Sequence, residues 1–196
     1  MTAVKAKSHR RYKELVSELP EIGSLTQNSM RFCLSGGAVW MAVYESTPQQ
    51  MTEEVFAGMV IKTMDAPIIK KAFSAMKPFS IRAQKKKIRK TARDNAASDS
   101  PFTFKMEFTP GRDAEEYTTI YRQCGLCALG EKEGHPELVK YMCAMDFLSV
   151  EAFGGTLYRT KLLSDGDDCC DFYVCKKDSH WDMERKLENK FTAKKS

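Results

Sequence analysis

The spacing of apolar residues in the first half of the chain is typical of helices. Over residues 10–19 apolar side chains recur at intervals of three and four, at Tyr12, Leu15, Val16 and Leu19, which places them on one helical face. A second helix is expected after a cap at Ser24 or Thr26. Because it is apolar on most sides, we expect it to be buried or to lie in a helix–helix interface. The pair Gly36-Gly37 lowers its stability and predicts a close approach or a kink.

Three more helices are predicted before the character of the sequence changes. Pro48 and Pro67 suit the first turns of two of them, and a basic helix is expected over residues 80–94. The segment that follows, NAASDSP, has the composition of a linker. We therefore place a helical lobe at residues 1–98 and a second lobe at residues 99–196, and we expect the two lobes to form one integrated fold.

The second lobe alternates apolar and polar residues as strands do. Residues 102–108 carry Phe or Met at every second position, and residues 116–125 are rich in Tyr and Thr, so the two are expected to pair as a hairpin. Residues 136–150 have a helical pattern. Residues 156–163 and 169–175 are predicted strands on either side of an Asp-Gly-Asp turn. This order predicts an α+β fold, with the N-terminal helical lobe followed by a four-stranded antiparallel sheet (ββαββ) and a crossing helix.

Composition and charge narrow the class of protein. The 196 residues are 42% hydrophobic and 29% charged, which is typical of a globular protein. Because no apolar run is long enough to cross a bilayer and the N-terminus lacks a signal-peptide core, we expect a cytoplasmic protein without membrane association. Much of the net charge of +5 lies in the basic helix, but that helix lacks interleaved aromatic residues. It therefore predicts a solvated face rather than nucleic-acid binding. The Met-rich apolar helices are typical of a core or of a dimer surface, so they are compatible with a homodimer.

Thiols are concentrated between Tyr121 and Val174. Five of the seven cysteines lie there: Cys124, Cys127, Cys143, Cys169 and Cys170. An odd count argues against a complete disulfide framework, so the thiols are expected to be core residues, ligands or nucleophiles. The Cys124-x-x-Cys127 motif raises the alternative of a zinc site, completed in space by Cys143 and Cys170. We disfavour zinc because two adjacent cysteines are not a standard ligand pair, and we expect no cofactor.

Two sequence motifs in this stretch combine cysteine with aspartate. The first is Cys143-Ala144-Met145-Asp146 on the predicted helix, and the second is Gly166-Asp167-Asp168-Cys169-Cys170-Asp171-Phe172 leading into the last strand. In this order, over about residues 102–175, the chain resembles the L-2-amino-thiazoline-4-carboxylic acid hydrolase family. The closing strand alone is also similar to that of 4-vinyl reductase-type small-molecule-binding domains.

The first resemblance implies the hydrolysis of a cyclic isothiourea, in which 2-aminothiazoline-4-carboxylate opens to N-carbamoyl-cysteine. It predicts a hydrolase acting on a C–N bond of a cyclic amidine, with a small, anionic, sulfur-containing substrate. The second resemblance implies the alternative of a non-catalytic protein that binds a small molecule.

Such a reaction requires a group that moves protons on and off the ring nitrogens, and a nucleophile for the ring carbon. Asp146 is the expected acid/base, and Cys143 and Cys170 are candidates for the nucleophile or for a polar pocket wall. Cys143 and Asp146 share one helical face, and Asp168 and Cys170 share one strand face. We therefore expect the two pairs to meet in one pocket.

An arginine suits the substrate carboxylate because a guanidinium binds it with two hydrogen bonds. Arg122 and Arg159, on the strands that flank the helix, are the candidates. Asp168, Cys124 and His135 complete the predicted substrate-binding set. Structural roles are the alternative for all of these, since free cysteines are usually core residues and a helical aspartate often pairs with a cation.

Overall fold

Five helices form the first half of the chain in the computed structural model, which describes residues 2–24, 28–47, 51–74 and 79–192. They are α1 Thr2–Ser17, α2 Ser29–Ser46, α3 Glu53–Asp65, α4 Pro67–Ser74 and α5 Ile81–Ala96. Side-chain oxygens of Asn28, Thr52 and Ser80 cap α2, α3 and α5 by accepting backbone N–H bonds. The expected cap at Ser24 is therefore wrong, while Thr26 and Pro48 lie outside the described residues.

The second half contains a four-stranded antiparallel sheet in the order β1-β2-β4-β3. Its elements are β1 Lys105–Pro110, β2 Glu116–Gln123, α6 Gly125–Glu133, α7 Val139–Met142, α8 Met145–Ala152, β3 Gly155–Tyr158, β4 Cys170–Lys176 and α9 His180–Thr192. Short 3-10 turns at Pro136–Leu138 and Leu163–Asp165 precede α7 and β4. The predicted α+β class, with N-terminal helices before an antiparallel sheet, is confirmed.

The details of the crossing segment differ from the expected ββαββ order. Helix α6 follows β2 directly and was not predicted, because its Cys-, Gly- and Glu-containing sequence has no clear apolar face. The predicted helix over residues 136–150 is divided at Cys143 and Ala144, where the chain turns from α7 into α8. The predicted strand over residues 156–163 ends at Tyr158, because the next residues form a loop held by aspartate side chains.

The two faces of the sheet have different coverings. Residues Tyr117, Val174 and Leu157 lie side by side across β2, β4 and β3, and they pack with Val150 and Phe153 at the end of α8. On the opposite face, α9 contacts β4. The face beneath α5 and α8 also carries Cys170, since strand residues two apart point the same way.

The helical lobe and the sheet share one hydrophobic core. Its buried side chains include Leu34 and Met41 of α2, Phe104 just before β1 and Leu126 of α6. Asn95, expected in a linker, is instead buried at the end of α5: its amide donates to Thr91 O at 2.8 Å and accepts from Phe104 N at 2.9 Å. The boundary between residues 98 and 99 itself stays a prediction.

In the part of the chain that the structure describes, no helix is both long enough and apolar enough to cross a membrane. The homodimer stays a prediction.

The close approach expected at Gly36-Gly37 is confirmed at one of the two glycines. A Cβ on Gly37 would overlap Cδ2 of Leu126 in α6, whereas a Cβ on Gly36 would meet nothing within 4 Å. The Gly37 position thus sets the distance between α2 and α6.

We expect Gly37→Ala to lower the free energy of unfolding by about 1 kcal/mol, because overpacking at Leu126 outweighs the gain in helix propensity. Gly36→Ala is the matched control and should raise it by up to about 1 kcal/mol. Urea denaturation of both variants measures the difference. Equal stabilisation by the two substitutions would contradict the close packing.

Candidate active site

A buried ion pair connects the end of β3 to the turn between α7 and α8. Arg159 Nη1 donates to Asp146 Oδ2 at 2.9 Å, and Nη2 donates to the backbone oxygen of Cys143 at 3.1 Å. Only 8% of the Arg159 side chain is exposed. Its guanidinium carbon lies 4.6 Å from the ring centre of Phe147 and 5.6 Å from that of Phe172, so two aromatic rings stabilise the cation.

The loop that carries Arg159 is held by two aspartates of the Gly-Asp-x-x-Cys-Asp-Phe phrase. Asp171 accepts hydrogen bonds from the backbone N–H groups of Thr160 and Lys161, at 2.8 and 2.6 Å. Asp167 accepts one from Leu162 N at 2.7 Å. Carboxylates that accept several backbone bonds fix a loop strongly. These residues therefore build the loop rather than contribute to chemistry.

The same loop donates to a predicted site residue. Leu163 N–H points at Cys170 Sγ, with 3.3 Å between the two heavy atoms. Cys170 pairs in register with Tyr121 of β2 on the covered face of the sheet. The side chains of Tyr121 and Phe172 pack with ring centres 5.0 Å apart. Cys170 thus lies between this loop and the aromatic rings of Tyr121 and Phe172.

Asp146 has an acidity suited to proton transfer near neutral pH. The Asp146 side chain is 31% exposed. Desolvation is the largest effect and raises the pKa of Asp146 to about 6, although the charge and hydrogen bond of Arg159 act to lower it. Its position in the first turn of α8 also favours the charged form. Arg159 binds Oδ2, and Oδ1 has no hydrogen-bond partner among the described residues.

The thiols around Asp146 are neutral at physiological pH. Burial raises the pKa of Cys143, and the Asp146 charge raises it further. Burial also raises the pKa of Cys170 to about 11, against the opposing bond from Leu163 N–H. An activated cysteine needs a lowered pKa. The surroundings of Cys143 and Cys170 therefore suit a polar wall better than a thiolate nucleophile.

Several groups beyond the predicted set border this site. Burial raises the pKa of Cys33 on α2 to about 12; Asp146 and Cys124 add to the rise and Lys87 opposes it. Burial also raises the pKa of Tyr121, again with a contribution from Asp146. Cys33 has no role in the predicted set and lies more than ninety residues before Cys124 in the sequence. Only the packing of α2 against α6 brings it near the site.

Of the predicted binding residues, the structure brings Arg159 and Cys124 to the site but not Arg122, Asp168 or His135. Cys124 precedes α6, and its charge would raise the pKa of both Cys143 and Cys170. Arg122 is 52% exposed on the outer face of β2 and lies 3.8 Å from Asp168, which is 65% exposed and also binds Lys161 at 2.8 Å. The expected meeting of Asp168 with the Cys143/Asp146 pair is therefore wrong, because Asp168 precedes β4 on the surface.

His135 also lies apart from Asp146. Its ring packs on Tyr44 with centres 4.9 Å apart, and its Nδ1 lies 3.6 Å from Glu137. Neither contact reaches the Arg159–Asp146 pair.

No group of three or more His, Cys, Asp or Glu side chains within the described ranges is arranged to hold a metal ion. All seven cysteines are free. The absence of a cofactor stays a prediction.

The family model described as L-2-amino-thiazoline-4-carboxylic acid hydrolase matches residues 31–174. This range runs from α2 into β4 and contains every residue of the site just described. Neither the curated proteins nor the solved structures compared with the chain give a match.

We expect alkylation of Cys143 and Cys170 by iodoacetamide to rise about tenfold per pH unit from pH 6.5 to 9.5 without a plateau, because the thiolate fraction limits the rate. Mass spectrometry of digested samples measures each site, and the protein in urea, with midpoints near pH 8.5, is the control. Restricted access of iodoacetamide to a buried thiol lowers the alkylation rate by the same factor at every pH, so the dependence of the rate on pH is unchanged. A plateau below pH 8 at either cysteine would identify a thiolate.

Proposed function

Because this chain belongs to the L-2-amino-thiazoline-4-carboxylic acid hydrolase family, we propose that it hydrolyses a small cyclic isothiourea. The reaction resembles the opening of 2-aminothiazoline-4-carboxylate to N-carbamoyl-cysteine. One observation carries the proposal: an aspartate with a pKa of about 6 lies in a site walled by neutral thiols. A carboxyl group of this acidity exists in both forms near neutral pH and can accept and return a proton.

The proposed step is the addition of one water to the ring carbon between the two nitrogens and the sulfur. The water oxygen bonds to that carbon, and the Asp146 carboxylate accepts one water proton and transfers it to the ring nitrogen. The carbon–sulfur bond then breaks, the new hydroxyl becomes a carbonyl, and its proton passes to the sulfur. Both carbon–nitrogen bonds remain in N-carbamoyl-cysteine. The sequence predicts a hydrolase that acts on a C–N bond of a cyclic amidine. In the proposed reaction water attacks the amidine carbon, but the bond that breaks is the C–S bond.

The proposed roles of the neighbours follow from their contacts. Arg159 binds Oδ2 of Asp146 and leaves Oδ1 for the water. Since Arg159 is only 8% exposed and directs one N–H of each Nη group to Asp146 and to the Cys143 carbonyl, we assign it a positioning role rather than the binding of the substrate carboxylate. Cys143 and Cys170 supply a weakly polar wall that suits the ring sulfur.

We expect Asp146→Asn to reduce kcat/KM by at least about 100-fold, since it removes the proton acceptor. Asp168→Asn, on the exposed surface, is the matched carboxylate control and should leave the rate unchanged. Cys143→Ser should retain activity within about tenfold of the wild type if water is the nucleophile. The measurement is free thiol in the protein-free filtrate after incubation with 2-aminothiazoline-4-carboxylate.

Each outcome separates two hypotheses. If Cys143→Ser lowers kcat/KM as much as Asp146→Asn does, Cys143 is the nucleophile. If the wild type releases no thiol but is thermally stabilised by the ring compound, the non-catalytic binding protein is favoured instead.

We expect kcat/KM to fall about tenfold per pH unit below pH 6, because proton acceptance needs the ionised carboxylate and its pKa is raised to about 6. Arg159→Met removes the cation that favours the ionised form, so the same limb should move to higher pH. Initial rates between pH 4.5 and 8.5 measure both profiles. Rates that stay constant down to pH 5 in the wild type would exclude Asp146 as the base.

A further inference from the structure

The Cys124-x-x-Cys127 motif has no part in the proposed reaction, and the structure places it at the start of a helix. Cys124 is the N-cap residue of α6, with φ −123° and ψ 115°. Cys127 is the third residue of the same helix. Both thiols are free, and both cysteines are half-buried. The two therefore belong to one turn of regular backbone, whose geometry can be compared with that of a disulfide.

We propose that Cys124 and Cys127 are a site of thiol–disulfide exchange and form a reversible disulfide by reaction with a small-molecule disulfide. This modification goes beyond the proposed hydrolysis and does not depend on it.

The backbone of α6 sets the distance between the two cysteines. Ala128 N–H donates to Cys124 O at 3.2 Å, so the first turn is α-helical from its cap onward. Helix geometry gives about 5 Å between the Cα atoms of residues three apart. Cysteines joined by a disulfide have their Cα atoms about 4.4–6.8 Å apart. The backbone therefore accommodates the bond without moving the helix.

The side chain of Cys124 lies against the start of α6. An N-cap side chain points toward the third residue of its helix, and here the Cys124 thiol forms a hydrogen bond with the Cys127 thiol. The two sulfur atoms are therefore neighbours in the reduced protein, and a rotation of the side chains is enough to join them.

The two residues between the cysteines hold this turn in place. Gly125 lies so close to Phe102 that a Cβ would overlap the Phe102 backbone oxygen. Leu126 is buried in the core. The half-buried cysteines thus sit on either side of an anchored backbone. A fixed geometry raises the effective concentration of one thiol at the other, which favours the disulfide within the pair over one with a separate thiol.

Cys127 attacks first in the proposed exchange. The hydrogen bond with Cys127, together with burial, raises the pKa of Cys124, and a thiol must lose its proton to attack. The Cys127 sulfur bonds to one sulfur of the small-molecule disulfide and releases its other half as a thiol. Cys124 then bonds to the Cys127 sulfur and releases the second half. Two protein thiols are oxidised, one disulfide is reduced to two thiols, and the two cysteine protons pass to the released sulfurs.

Cys169 and Cys170 are the matched control, because they are even closer in sequence but lack this geometry. Cys170 begins β4, and its sulfur accepts a hydrogen bond from Leu163 N–H. Successive side chains of an extended chain point to opposite sides. Closeness in sequence alone therefore does not bring these two thiols together.

The experiment incubates the full chain with oxidised and reduced glutathione at several ratios, quenches it with acid and alkylates the remaining thiols. Trypsin cleavage after Arg122 and Lys132 isolates Cys124 and Cys127 in the peptide 123–132. Mass spectrometry should show that this peptide has lost two hydrogen atoms, with an occupancy at least about tenfold above that of the Cys169–Cys170 pair. Excess reduced glutathione should restore both thiols. If peptide 123–132 keeps both thiols while another pair of cysteines is oxidised, the proposal is overturned.

Two variants test the order of attack. Cys124→Ser should retain glutathione on Cys127, because no second thiol releases it, whereas Cys127→Ser should take up at least about tenfold less. Equal uptake by the two variants would overturn the assigned order.

The same titration in urea tests the contribution of the helix. Without the fixed turn, the pair should need a ratio of oxidised to reduced glutathione at least about tenfold higher. An equal ratio in urea would show that spacing in the sequence is sufficient, and it would overturn the structural argument.

Discussion

The arrangement of the site depends on the buried contact of Arg159 with Asp146 and the Cys143 carbonyl. A guanidinium that is 8% exposed is costly to bury unless its charge and its N–H groups are matched. One carboxylate and one carbonyl on the same turn meet both needs. The contact therefore fixes two pieces of chain to each other: the loop that runs from β3 to β4, and the turn between α7 and α8. Asp167 and Asp171 support it by fixing that loop.

The same burial determines which groups can react. Low polarity opposes every negative charge in the site, so the thiols of Cys143 and Cys170 stay protonated. Asp146 is affected in the same direction, but Arg159 offsets part of the shift and leaves the carboxyl with a pKa of about 6. A site built in this way can exchange protons near neutral pH without a thiolate. The number of cysteines would suggest thiol chemistry, whereas their surroundings favour carboxylate chemistry.

Site residues that are close together in the sequence could be predicted, and those that come from distant helices could not. Cys143 and Asp146 are three residues apart, and helical periodicity alone places them together even though the helix is divided between them. Asp168 was placed wrongly because strand alternation was extended past the first residue of β4, where the chain is on the surface. Cys33 could not be found, since it comes from α2. Only the packing of α2 against α6 brings it to residues more than ninety positions later.

The packing of α5 separates its basic residues into two groups that the sequence alone does not distinguish. Seven basic residues without an acidic one lie between positions 82 and 93, and the rest of the chain has 24 basic against 26 acidic residues. By composition the seven are equivalent. Because Thr91 is buried and Ile88 is partly buried, helical geometry directs six of the basic residues to the outer surface and leaves Lys87 at the margin of the buried face. A run of like charges thus becomes two features, a solvated surface and one cation at the margin of the buried face.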